Sequence, residues 1–165
     1  MKLFKHRYLL LSLITAALIT SSVFAMWAAR PEVKVMLSGT VERDNQAIQI
    51  DKAGLLNPGE ILHWTILSQN GGNAPAHHYK TVGEVPSGTT YVAASAKAGG
   101  DVSIFFSIDG GKTFAAKPMI EQKQPDGSAR PVPAPASLYT HIRYEWKDPL
   151  AEGKQVTASY KVRVK

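Results

Sequence analysis

The chain has no cysteine. That excludes disulfides, a thiol nucleophile, thiolate metal sites and lipid attachment through a cysteine. Beyond residue 29 it also lacks any stretch with a 3.6-residue apolar period, which excludes a helical core and a βαβ plan. Excess charge is scarce too. Of a formal net charge of +6, half comes from Lys2, Lys5 and Arg7 at the N-terminus. No basic run interleaved with aromatics remains, so nucleic acid is not an expected partner. There is no Gly-x-Ser-x-Gly elbow and no serine with a histidine at suggestive spacing, so nucleophilic catalysis has no candidate.

What is present begins with a targeting pattern. The basic residues 2–7 precede an apolar run from Leu9 to Ile19, a polar Thr20-Ser21-Ser22 and small residues at Val23 and Ala25. This predicts an export helix, residues 1–25, cleaved after Ala25, with Ala28 and Ala29 as alternative sites. Residues 8–29 carry no charge, so an uncleaved segment is long enough to anchor the chain in a membrane, with the rest outside. Either way the body is expected to be exported, to the periplasm, the extracellular space or the cell surface. Residues 26–32 read as a linker, and 33–165 as one domain.

Within that domain the recurring period is two. Val33 to Leu37 opens the series, and Thr40-Val41-Glu42 and Ile48-Gln49-Ile50 follow. The segment 61–68 places Leu62, Trp64 and Ile66 on one face, with Trp64 expected in the core. Val102, Ile104, Phe106 and Ile108 make the next inward set, followed by a reversal at Asp109-Gly110-Gly111, a hairpin signal leading to Thr113-Phe114. Ile142, Tyr144 and Trp146 point inward from 139–146. The last strand sets Val156, Ala158, Tyr160, Val162 and Val164 against outward Thr157, Ser159, Lys161, Arg163 and Lys165. Between Lys117 and Leu138 the alternation fails among prolines, which predicts a long exposed loop. Seven to nine short strands with turn signals between them predict an all-β, antiparallel β-sandwich of immunoglobulin-like type.

The stretch 57–92 carries a resemblance. Asn57-Pro58-Gly59-Glu60, an alternating strand with Trp64, Gln69-Asn70-Gly71-Gly72 and Val85-Pro86-Ser87-Gly88-Thr89-Thr90-Tyr91-Val92 stand in that order. Tyr139 to Tyr144 and Pro149 to Lys154 continue the series. Together they resemble the bacterial surface-protein repeat called domain of unknown function 11, over roughly residues 33–165. The resemblance implies an immunoglobulin-like fold and is silent on activity. The pattern occurs once here, whereas many relatives string several copies into stalks. Val82-Gly83-Glu84-Val85-Pro86 also departs from the acidic residue usual before the Pro-x-Gly segment.

Candidate chemistry is sparse. Ser107-Ile108-Asp109-Gly110-Gly111-Lys112-Thr113-Phe114 matches the Asp-box turn of sialidase propellers. There Ser and Asp bond the turn backbone, Gly111 takes a positive-φ position and Phe114 packs behind the hairpin. One copy cannot build a propeller, so Asp109, Gly111 and Phe114 are expected to be structural, together with Trp64, Tyr144, Trp146 and Tyr160. His77 and His78 are the metal candidates, with His63 and His141 on strands. Adjacent histidines point apart, and no third ligand stands at a recognisable spacing. Tyr79 and Phe105, read as exposed, are candidates for stacking on carbohydrate. Lys161, Arg163 and Lys165, beside Arg143, are candidates for a basic stripe. The reading is a non-catalytic module with no cofactor, whose partner is an envelope protein or polysaccharide. The alternative is a small-ligand binder for carbohydrate, copper or zinc.

Overall fold

A computed structural model describes residues 29–165; the expected export helix, residues 1–25, lies outside the described residues. The compact unit runs from Pro31 to Lys165. Pro31 and Glu32, expected as linker, therefore belong to the domain, and Asn70 Oδ1 accepts from the Glu32 backbone N–H at 3.1 Å.

The strands in chain order are β1 (Val33–Arg43), β2 (Gln46–Gln49), β3 (Ile61–Asn70), β4 (Lys80–Glu84), β5 (Thr89–Tyr91) and β6 (Lys97–Ala98). Then come β7 (Val102–Ser107), β8 (Met119–Lys123), β9 (Ala129–Pro133), β10 (His141–Trp146) and β11 (Gln155–Val164). Short 3-10 turns at Ile50–Lys52 and Ala136–Leu138 are the helical elements among the described residues. One sheet has the order β2-β1-β3-β11-β5, with β6 also on β11; a second has β4-β10-β7; β8 and β9 form a separate ribbon. All pairings are antiparallel.

The described residues form eleven strands, above the seven to nine expected, because β8 and β9 form where a loop was expected, while other expected segments merge or are lost. The two short segments 33–37 and 40–42 fuse into β1. It turns into β2 through Asp44 and Asn45, both at positive φ (53° and 61°), which matches the twist of a two-residue hairpin. Thr113-Phe114 is not a strand; Phe106 bridges Ala115 instead across a wider turn.

The segment 117–138 departs most from expectation. It is a β-ribbon, β8–β9, rather than a structureless loop. Ala134 N–H bonds Pro118 O and Gln124 N–H bonds Ser128 O, so even-numbered residues carry the ladder. Pro131 and Pro133 fall on the alternate positions, where no ladder donor is needed. Prolines spaced by two mark the outer edge of a strand here, and leave that edge unable to recruit another.

The core lies between the six-stranded and three-stranded sheets. Leu62, Ile66, Ala158, Tyr160 and Val162 face Ile142, Tyr144 and Trp146, all buried. Trp64 points inward as expected but is half-buried, lying across β1 at Gly39. A Cβ at Gly39 would sit 2.8 Å from Trp64 Cζ3 and closer still to Ile50 Cδ1, so only glycine lets the indole pass.

Candidate interaction groove

Three side chains bolt the sheets together through the opposite layer's backbone. Tyr144 on β10 donates to Ser159 O at 2.8 Å. Tyr160 on β11 donates to Glu84 O at 2.5 Å. Trp146 Nε1 donates to Gly99 O at 2.9 Å. Burial pushes both tyrosine hydroxyls above their ordinary pKa of 10, so they remain donors at any physiological pH. The Tyr160 ring also presses against Gly83 of β4, where a side chain has no room. Gly83 has Ile66 of β3 as a further neighbour, so β4 lies above β3 and β11.

The remaining sequence candidates fall in separate places. The Ser107 hydroxyl donates to Asp109 Oδ1 at 2.7 Å and accepts from Gly111 N–H at 2.9 Å. Asp109 accepts from the Thr113 hydroxyl at 2.6 Å and from the backbone N–H of Thr113 and Lys112. The Thr113 hydroxyl first, then its N–H, holds the Asp109 carboxyl well below the usual range. A carboxylate with these bonds is committed to the turn, with Gly110 and Gly111 both at positive φ.

The Arg143 guanidinium lies over the rings of Phe114 and Phe105, at 4.4 and 5.2 Å from Cζ to the ring centroids. Arg143 Nε also lies 2.7 Å from Glu145 Oε1, an ion pair by distance whose geometry falls outside a directional hydrogen bond. Phe105 is therefore covered by a cation, and Arg143 is engaged on its own sheet rather than free for a basic stripe. Tyr79, expected to be exposed, is half-buried, its ring 5.6 Å from that of Trp146. Neither ring offers the open face that sugar stacking requires.

His77 and His78 are exposed on the loop before β4, with His78 at φ 52°. Among the described residues, no three His, Cys, Asp or Glu side chains converge as metal ligands. A cleft of about 430 Å³ lies between Gly99–Asp101 and the β10–β11 turn, and two of its polar side chains are already engaged. Trp146 Nε1 is bonded to Gly99, and Asp101 is paired with Lys147 at 2.9 Å.

Open apolar surface gathers elsewhere. Val35 and Leu37 of β1 pair with Ser68 and Ile66 of β3 and share their inward face. The three-stranded sheet does not reach them, and they are 51% and 60% exposed. Beside them is a cleft of about 380 Å³ lined by Leu37, Trp64, Glu84, Pro86, Ser87 and Tyr160. Trp64 Nε1 is buried there without a hydrogen-bond partner among the described residues.

The upper lip of this groove is a free strand edge. Val85 N–H bonds Thr140 O, and Trp146 N–H bonds Tyr79 O. The antiparallel alternation then turns residues 79, 81, 83 and 85 toward β10, and Lys80, Val82 and Glu84 toward the open side. Of those outward groups the Glu84 carbonyl is taken by Tyr160. Val82 is 45% exposed.

Sequence reasoning missed Val35, Leu37 and Val82 as surface residues. For Val35 and Leu37 the signal is the run Val-Lys-Val-Met-Leu, in which Met36 breaks the polar side of the alternation and leaves both faces of β1 apolar; Val82 carries no comparable signal. Comparison with protein-family models and with curated proteins finds no match to this chain.

Proposed function

We propose that this chain is an exported, non-catalytic immunoglobulin-like module acting at the bacterial envelope, and that its groove between β1 and β4 receives a partner. The N-terminal targeting pattern and the resemblance to domain of unknown function 11 support the location and the fold type. The observation that carries the interaction role is the exposure of Val35 and Leu37, side chains on the core-facing side of β1 that no strand among the described residues covers. Contiguous apolar surface beside a formed cleft is expensive to leave in water and marks an interaction site in a folded domain.

The test is made in the producing cells. A photo-crosslinking residue replaces Leu37 in the full chain, with a control at His63 on the opposite face of the six-stranded sheet. The reading predicts a discrete adduct from position 37 in the envelope fraction, none from 63, and a mature mass lacking residues 1–25 or a membrane-bound intact chain. No adduct from 37, or a chain confined to the cytoplasm, would overturn it.

A further inference from the structure

We infer that the groove is a strand-acceptor site for a single extended peptide segment of a partner protein. The segment adds antiparallel to β4 and carries a basic residue, a central apolar stretch and an acidic residue in that order. The inference rests on the interaction reading above and specifies its chemistry.

The strand-like shape of the occupant follows from the seats. Val35 and Leu37 are two residues apart on one face, the repeat of alternate side chains on an extended chain, about 7 Å. The neighbouring lip offers the N–H and C=O of Val82 with no partner strand among the described residues, the template that strand addition uses. A segment laid beside β4 would cover Val35 and Leu37 with its inward side chains. A segment added instead to the outer edge of β1 would leave both uncovered.

A single segment fits where a second copy of the domain does not. β4 lies above β3 and β11, and β1 projects beyond it as a shelf. Pairing β4 with β4 of another copy around a two-fold axis would drive β1 of each into the β3–β11 layer of the other. The shelf has room for one strand, not for a sheet.

The charge order follows from the lip. The outward side chains of β4 are Lys80, Val82 and Glu84, facing the same way as Glu145, Arg143 and His141 on β10. Arg143 and Glu145 are paired with each other, while Lys80 and Glu84 are exposed and form no ion pair among the described residues. An antiparallel segment read from its N-terminus meets Glu84, then Val82, then Lys80. Opposite charges directly across strands are favourable and like charges are not. The sequence it calls for is therefore basic, apolar, β-branched, apolar, acidic, with the two apolar residues facing Leu37 and Val35.

The probe is a twelve-residue peptide containing Lys-Val-Thr-Val-Glu between Gly-Ser flanks, titrated into the full chain by isothermal calorimetry. Its charge-reversed twin, Glu-Val-Thr-Val-Lys, is the control. The expected result is saturable one-to-one binding, with the twin roughly tenfold weaker because two cross-strand pairs change sign. Leu37→Lys should weaken binding at least about tenfold by removing an apolar seat at an exposed position that folding does not need. Val82→Pro should do the same by removing the edge donor without touching the β10 ladder, and circular dichroism reports whether each variant folds.

Equal affinity for the two peptides, or no binding at millimolar peptide, would overturn the strand-acceptor assignment. So would a dimer in sedimentation that Leu37→Lys dissolves. Envelope adducts from position 37 in the absence of peptide binding would defeat this inference while leaving the wider interaction reading in place. Absence of both would remove both.

Discussion

Tyr144 and Tyr160 are reciprocal: each rises from its own sheet and donates its hydroxyl to a backbone carbonyl of the other, Ser159 and Glu84 respectively. Both side chains are fully buried. A buried phenol satisfied on the opposite layer fixes both the spacing and the lateral position of the two sheets. The Tyr160 bond has a second consequence, because it holds β4 above β11 and leaves the shelf of β1 open beside it.

Removing either hydroxyl should therefore cost stability with little loss of packing. Tyr144→Phe and Tyr160→Phe are each expected to lower unfolding free energy by about 1 kcal/mol, the net worth of one hydrogen bond. Urea denaturation measures this. A neutral effect for both would mean that the apolar contacts of the rings, not the hydroxyls, set the sheet spacing.

The same burial predicts the alkaline limb. Both hydroxyls titrate above their ordinary value of 10 because burial disfavours the phenolate. A folded-state pKa above the unfolded one means that the folded protein holds more protons there. The contribution is complete below pH 10 and declines as pH rises beyond it. Melting temperature should fall above pH 10, and the double Phe variant should show a flatter fall. Identical limbs would contradict the assignment.

At the acid end Glu60 is one of the depressed carboxyls. Arg43 clasps it with Nε at 2.7 Å and Nη2 at 3.0 Å, and donates onward to the Ala53 and Leu55 carbonyls. The Arg43 guanidinium first, and the Asn57 N–H second, lower the Glu60 carboxyl from its ordinary value of 4.5 to about 2. A depressed pKa stabilises above 4.5, and the contribution is lost as pH falls from there toward 2. Glu60→Gln should flatten the urea midpoint across that window. Part of the slope should persist, because Asp109 and Asp126 are depressed as well, by the Thr113 and Ser128 hydroxyls. A variant with the full wild-type slope would contradict the role of Glu60.

Asn70 is the polar counterpart of the tyrosine bolts. It is fully buried, and Oδ1 accepts from the N–H of Glu32 and Gly72 while Nδ2 donates to the carbonyls of Ala74 and Leu150. Asn70→Ala strands those groups and should destabilise by about 2–4 kcal/mol. Thermal melting and urea titration test it, and a loss below 1 kcal/mol would mean that water replaces the amide.

Legibility in the sequence tracked how local each determinant is. β10 and β11 alternate cleanly because each has one face in the core and one in solvent. The turns at Asn57–Glu60 and Ser107–Thr113 are written in residues that bond one another within a few positions. The ribbon β8–β9 was not legible: both its faces meet water, so no apolar alternation survives, and Pro131 and Pro133 look like breakers unless their edge is known. The burial of Tyr79 depends on Trp146, far along the chain. The exposure of Val35 and Leu37 depends on how many strands the facing sheet contains, and no residue of β1 reports that number.

Amide hydrogen exchange along β4 in the free, full-length chain tests the open edge most directly. The N–H groups of Thr81 and Gly83 face β10 and should exchange slowly, while that of Val82 faces the groove and should exchange orders of magnitude faster. Equal protection of Val82 and its neighbours would show the edge already covered and contradict the account.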